Sequence, residues 1–270
     1  MDYSDKKTLG NTDEYVPAIG IGTWDIRNDS SMLEALSLAV DLGLNMIDTA
    51  EMYQNGKAEE IVGEVVKKVG RDRIFITTKL LPERFSDGYS AIKAAKASLR
   101  RSGIQYADLI LIHWPTSGVS IDTQIKSLEV LADKGLTRHI GVSNFRGQML
   151  MEAIASVKKH QIAVDQVKYS ILDKRTEDDT LPLCIENKVT LQAYTPLEKG
   201  AILGNRIIAD VAKKYGKTII QVALNYLISK PRVTAIPKSE RKERIKEFSE
   251  ALGWRLSQKD LELLERLSIA

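Results

Sequence analysis

Short runs rich in apolar and β-branched residues alternate along this chain with longer stretches whose apolar positions recur every three to four residues. The short runs are AIGIGTW (18–24), NMIDTA (45–50), IFITTK (74–79), DLILIHW (108–114), RHIGVSN (138–144), AVDQVKY (163–169), VTLQAYT (189–195) and VTAIPKS (233–239). Between them lie SMLEALSLAVDLG (31–43), AEEIVGEVVKKVG (58–70), YSAIKAAKASLRRSG (89–103) and TQIKSLEVLADKG (123–135), several closed by glycine as helices commonly are. In the first of these, Met32, Leu33, Leu36 and Val40 form one apolar stripe, the mark of a helix lying on a core. Nearly continuous apolar strands indicate parallel pairing with helices on the outside. Eight β/α units are the number that closes a barrel, so the pattern predicts a (β/α)8 TIM barrel, with an open doubly wound sheet as the alternative. No linker or compositional shift divides the sequence, and residues 1–270 read as one domain. The stretch 203–229 reads as two extra helices around Tyr215-Gly216, and SQKDLELLERL (257–267) as a terminal helix capped by Ser257. GNTDEYVP (10–17) has hairpin chemistry and is placed to plug the N-terminal end of the barrel.

Composition narrows the function classes. The 270 residues are 43% hydrophobic, enough for a sizeable core. The 39 basic and 36 acidic residues leave a formal charge of +3 with no basic block, which argues against a nucleic-acid partner. The start, MDYSDKKTLG, lacks the apolar segment of a signal peptide, and DLILIHW is too short to span a bilayer. A cytoplasmic, monomeric protein with no membrane partner is expected. The single cysteine, Cys184, excludes an internal disulfide and reads as a core residue. The three histidines, at 113, 139 and 160, lack metal-ligand spacing, so no metal site is expected, and His139 and His160 read as structural.

In such a barrel the active site forms at the carboxyl ends of the strands. The residues that close them are Gly22-Thr23-Trp24, Asp48, Lys79, His113-Trp114, Ser143-Asn144, Gln166, Tyr194-Thr195 and Lys238-Ser239. Asp48, Lys79 and His113 end neighbouring strands, and Tyr53 follows Asp48 in the loop beyond. Singly, each is explained as well by a cap, a surface charge or packing; their convergence points to chemistry. A free tyrosine has a pKa of about 10. An ammonium at Lys79 is expected to lower it, with Asp48 keeping that ammonium charged and in place. Tyr53 then serves as general acid toward an oxygen gaining negative charge, and His113 orients the same oxygen by a hydrogen bond. Carbonyl reduction needs this set, with hydride drawn from a cofactor. Trp24 and Trp114, with Tyr53 and His113, are candidate walls of a substrate pocket.

With these residues in view the sequence resembles the aldo-keto reductase family over nearly its whole length. IDTAEMYQNG, ITTKL and LILIHWP carry the positions of that family's catalytic tetrad, and GIGTW, IGVSNF, AYTPL and IPKS match further signatures in order. The resemblance implies a (β/α)8 barrel, extended NADP(H) across its rim, and a small-molecule aldehyde or ketone as substrate. It also implies that Gly22, Thr23, Asp48, Ser143, Asn144 and Gln166 hold the nicotinamide and its ribose, with Tyr194 stacked on the ring. Thr195 and Leu197 flank the pyrophosphate by the same resemblance, and Ile236, Lys238, Ser239, Arg244 and Glu247 complete the cofactor set.

The residues carry part of this independently. GIGTWD (20–25) begins like a Gly-rich dinucleotide fingerprint, but Asp25 stands at its sixth position and a polar loop follows, which argues against a Rossmann site. IPKSERKERIKEF (236–248) suits a phosphate: Ser239 is expected to cap the following helix, whose N-terminus favours an anion, with Lys238 and Arg244 adding charge. That cluster fits NADP(H) better than NAD(H). Three departures from the family pattern stand out. Gly43-Leu44-Asn45 replaces Gly-Tyr-Arg, Ser170-Ile171 replaces His-Pro, and Phe248 takes the place of an Asn often found after Glu247. EKGAILGNR after Leu197 is short, so a large-substrate lid is expected to be reduced or absent. The competing reading from another class is a cofactor-binding, redox-sensing regulatory subunit with little turnover.

Overall fold

The computed structural model describes residues 2 and 4–267. Among them, β1 (Lys6–Thr8) and β2 (Tyr15–Pro17) form an antiparallel hairpin. Eight parallel strands follow: β3 (Ile21–Gly22), β4 (Met46–Asp48), β5 (Phe75–Leu80), β6 (Ala107–Ile112), β7 (Thr137–Ser143), β8 (Ile162–Lys168), β9 (Thr190–Tyr194) and β10 (Val233–Ala235). They pair in chain order. The seam between last and first is closed by a parallel bridge from Ile19 to Ala235 and by Gly22 N–H donating to the Pro237 carbonyl at 3.0 Å. The fold is the expected (β/α)8 barrel. Several strands are shorter than the sequence predicts, most of all 18–24 and 233–239, which are reduced to Ile21–Gly22 and Val233–Ala235. These two meet at this seam, and Pro237 has no N–H with which to extend a ladder.

Strand interiors are apolar on both sides because both sides are covered. On β6, Leu109 and Leu111 point into the barrel, while Ile110 and Ile112 join the layer beneath the helices. That layer is formed by α1 (Asp29–Asp41), α2 (Lys57–Val69), α3 (Gly88–Arg101), α4 (Ile121–Asp133), α5 (Gln148–Ser156), the short α6 (Arg175–Asp179) and α7 (Leu181–Glu186), and α8 (Arg206–Tyr215) with α9 (Ile219–Ile228). Polar side chains fix where they start. Asn28 accepts from Ser31 N–H and Asp87 from Ser90 N–H, both at 2.9 Å, and Thr218 and Gln221 form a reciprocal capping box on α9. Gly216, with φ +61°, ends α8 in the left-handed conformation at the predicted break. Two further helices follow β10: α10 (Lys242–Ser249) and α11 (Gln258–Glu265). Ser257 caps α11 as expected, accepting from Asp260 N–H.

The hairpin closes the barrel's N-terminal end. Its Leu9 and Val16 pack with Met46, Phe75, Leu109, Leu111 and Val164 inside the strands. Gly10 is pressed so close that a Cβ there would lie 2.8 Å from Ala163 Cα. Its N–H and carbonyl are held by Thr190 and Arg232, both at 2.8 Å. One end of the barrel is therefore filled, which leaves the carboxyl ends of the strands as the open face. Cys184 is buried and free. His139 faces Glu14 at 2.8 Å and His160 faces Asp133 at 3.1 Å, both away from that open face.

Candidate active site

Asp48 closes β4, Lys79 stands one residue before the end of β5, and His113 lies one residue past β6. Tyr53 reaches them from a 3-10 turn, Tyr53–Gly56, between β4 and α2. The turn is sharp: Gln54, Asn55 and Gly56 all have positive φ, at +47°, +53° and +90°. Only at Gly56 is this cheap, and there a Cβ would also strike Arg101 of α3. Arg101 Nε donates to Glu59 Oε2 at 2.6 Å, and Thr78 Oγ1 donates to Glu59 Oε1 at 2.6 Å. Glu59 is fully buried. It therefore fastens the helix that follows Tyr53 to the strand residue preceding Lys79.

Lys79 and Asp48 are 1% and 2% exposed. The ammonium lies 2.6 Å from both carboxylate oxygens and 3.1 Å from the Thr49 carbonyl, so three acceptors face its three donors. It stands 5.0 Å from the centre of the Tyr53 ring. Burial alone would discharge Lys79; the negative charge of Asp48, joined by that of Tyr53 once the phenol ionises, outweighs it and holds the ammonium above its ordinary pKa. Tyr53 corrects the sequence-based expectation. Its pKa is raised rather than lowered, because burial of the phenol outweighs the pull of Lys79, and Asp48 adds to the rise. Tyr53 is thus kept as a protonated donor. His113 is also neutral, with its pKa lowered to about 3 by burial and then by Lys79. Its Nδ1 is buried without a partner among the described residues. The Tyr53 ring meets the rings of Trp24 and His113 edge-on, at 5.1 and 5.7 Å, and His113 lies 4.7 Å from Trp114.

A cleft of about 910 Å³ opens above these residues. Trp24, Tyr53, His113 and Trp114 line its inner part, with Ser143, Asn144, Gln166 and Tyr194 alongside; Lys238, Ser239, Arg244 and Phe248 line it farther along. Gly22, Thr195, Leu197 and Ile236 also line it. Its floor is a polar lattice between strand ends. Thr23 Oγ1 donates to the Asp48 carbonyl at 2.9 Å, Ser143 Oγ to the Gln166 carbonyl at 2.8 Å, and Tyr194 Oη to Asn144 Oδ1 at 2.9 Å. Gln166 Nε2 donates to Asp48 Oδ1 at 2.7 Å and to Gln192 Oε1 at 2.5 Å. Gln192 escaped the sequence reading because it lies in the body of β9, two residues below the rim. Asn144 and Thr195 have φ of +63° and +53°. For a β-branched residue such as Thr195 this is a costly conformation, of the kind found at functional sites.

The segment beyond Tyr194 is a short 3-10 stretch, Glu198–Gly204. Ser170, which replaces the family's His, donates to Glu198 Oε1 at 2.7 Å, and Lys168 pairs with the other oxygen at 3.1 Å. That departure ties the segment down.

Two features of the cationic part differ from expectation. Ser239 does not cap the following helix: its Oγ accepts from Arg241 N–H, and α10 starts three residues later with Arg241 at its unassisted N-cap. Lys238 is drawn to Glu240 at 2.6 Å, and Arg244 to Glu247 one turn on. Arg241, which the sequence reading passed over, also lines the cleft and makes no ion pair among the described residues. No group of three metal-ligating side chains occurs among the described residues, nor any helix long and apolar enough to cross a membrane.

Comparison with known proteins gives this arrangement its context. A methylglyoxal reductase of Escherichia coli is 34% identical over 94% of this chain and 92% of its own length. A glyoxal reductase of Bacillus subtilis is 34% identical, with 94% and 89% covered. Among solved structures, a thermostable aldo-keto reductase in complex with the inhibitor epalrestat matches with a TM-score of 0.91, 37% identity and coverage of 96% and 98%. An aldo/keto reductase from Klebsiella pneumoniae in complex with NADP and acetate matches at 0.89, with 31% identity and coverage of 97% and 94%. The model of the aldo/keto reductase family matches residues 18–269. The chain belongs to the aldo/keto reductase family.

Proposed function

We propose that this protein reduces small aldehydes and ketones, α-dicarbonyls among them, with NADPH as reductant and Tyr53 as the general acid. The observation that carries the reading is the meeting of protonated Tyr53, neutral His113 and the buried Lys79–Asp48 pair at the inner part of one long cleft.

The cleft fits an extended dinucleotide. It offers amide and hydroxyl groups at its inner part and cations farther along. Ser143, Asn144, Gln166 and Asp48 would hold the nicotinamide end against the Tyr194 ring, and the side-chain amide of Gln166, whose Nε2 is bonded to Asp48 and Gln192, keeps its Oε1 without a protein partner among the described residues. Gly22, Thr195 and Leu197 would line the middle, and Lys238, Ser239, Arg241 and Arg244 would face the adenosine phosphate, with Ile236 and Glu247 beside them. When bound, NADPH supplies the hydride.

The chain's residues do the rest. Tyr53 donates its proton to the carbonyl oxygen as negative charge grows there, a role worth about 10²- to 10⁴-fold. His113, being neutral, donates one hydrogen bond and carries no proton that titrates near pH 6.5. Lys79 steadies the phenolate that Tyr53 becomes, and Asp48 holds Lys79 in place. Trp24 and Trp114 give the pocket apolar walls. The relatives named for methylglyoxal and glyoxal reduction favour small dicarbonyl substrates.

Two measurements check this. A panel of methylglyoxal, glyoxal, short aldehydes, aldoses and bulky ketones, followed by NADPH and NADH absorbance in parallel, should show steady turnover fastest with the small dicarbonyls; no turnover with any of them removes the proposal. The pH profile of kcat/KM should be flat through pH 6.5. It should fall only at high pH, because the required acid is present below the Tyr53 pKa and lost above it, and burial puts that pKa above its ordinary value. A step near 6.5 would assign the proton to another group.

A further inference from the structure

Lys238 does not stand in the cleft as a free cation. Its Nζ lies 2.6 Å from Glu240 Oε1 and 2.7 Å from the Asp25 carbonyl. Glu240 is fixed in turn: Oε1 accepts the N–H of Arg27 at 2.9 Å and Oε2 that of Asn28 at 3.0 Å. Its side chain is only 14% exposed, so the carboxylate does not swing away at little cost. Resting on the reading of this cleft as a dinucleotide site, we propose that Glu240 is a specificity-determining residue that weakens discrimination in favour of the 2′-phosphorylated cofactor.

The reasoning is electrostatic. Lys238, Arg241 and Arg244 line this part of the cleft, with Arg27 of the facing loop, which stands 3.6 Å from Asp25. Glu240 and Glu247 offset two of them before any ligand arrives. Glu247 shares a helix with Arg244, in an i, i+3 pair that can open within α10. Glu240 instead is bonded to the β3–α1 loop, so a phosphate approaching Lys238 meets a fixed like charge. The site therefore accepts NADPH and NADH with a smaller preference than its basic residues imply. The same bonds clamp the loop that carries Trp24: Gln54 Nε2 donates to the Ile26 carbonyl from the Tyr53 turn, and Lys238 and Glu240 hold Asp25, Arg27 and Asn28 from the other side.

The test is calorimetric titration of NADP⁺ and NAD⁺ into the unaltered protein and into Glu240→Gln, which keeps an oxygen for the loop and loses the charge. NADP⁺ should bind about tenfold more tightly to the variant, a change of about 1.4 kcal/mol, while NAD⁺ stays within about twofold. Glu240→Ser, which also frees the loop, should raise the NADP⁺:NAD⁺ affinity ratio by a similar factor even if both affinities fall. An unchanged ratio in both variants, or a parallel shift of the two cofactors, overturns the role of Glu240 and leaves the reductase reading standing. Failure of the unaltered protein to bind either cofactor overturns both.

Discussion

Tyr53→Phe is expected to lower the rate of carbonyl reduction by about 10²- to 10⁴-fold, the usual contribution of a positioned general acid, while cofactor affinity stays within about twofold. The structure gives reasons for both halves. Phenylalanine keeps the ring that meets Trp24 and His113 edge-on at 5.1 and 5.7 Å, so the inner wall of the cleft retains its shape. What disappears is the proton source. His113 cannot replace it, because burial and the nearby Lys79 hold its pKa down to about 3 and leave it neutral. Pre-steady-state absorbance with NADPH, set beside a binding titration of the same variant, separates the two effects. Turnover at the original rate would remove Tyr53 from the chemistry. Loss of cofactor binding in proportion to activity would make it a packing residue.

Lys79→Met should damage the protein twice. Asp48 would remain as a buried carboxylate with Gln166 as its remaining side-chain donor, and breaking a buried pair in this way costs about 3–5 kcal/mol. That is a large part of the roughly 5–15 kcal/mol that holds a protein of ordinary stability together. Adding Asp48→Asn removes the stranded charge. The double variant should therefore recover most of the lost stability in urea unfolding, to within about 2 kcal/mol of the original. Its activity should remain as low as that of the single variant, since no ammonium faces Tyr53 in either. Additive stability losses would mean that the pair is not coupled through charge. Recovered activity in the double variant would show that Lys79 is not needed to tune the phenol.

The parts of this molecule legible in the sequence are those that depend on local pattern. Apolar runs such as ADLILI of β6 and the stripe of α1 announce themselves because burial dictates residue type. Asp48, Lys79, His113, Ser143, Gln166 and Tyr194 were found because a parallel barrel gathers its strand ends on one face. What stayed hidden depends on partners distant in sequence. Glu59 reads as an ordinary charge in the first turn of a helix, yet it is fully buried by partners from β5 and α3. Ser239 has the composition of a helix cap, but Glu240 is drawn to Lys238 and the β3–α1 loop, which delays α10 until Lys242. The direction of the Tyr53 pKa was missed for a related reason. The sequence shows the cation beside the phenol, while the depth of burial that outweighs it exists only in the fold.

The central claim, a cofactor hydride delivered to a carbonyl carbon above Tyr53, is tested most directly by labelling. Methylglyoxal in excess is mixed with the unaltered protein and NADPH carrying two deuterium atoms at C4 of the nicotinamide, and the product is analysed by mass spectrometry and NMR. The structure predicts many cofactor equivalents oxidised per protein molecule, with one deuterium on the new carbinol carbon for each. Oxidation that stops at one equivalent, or a carbinol carbon without deuterium, would contradict it.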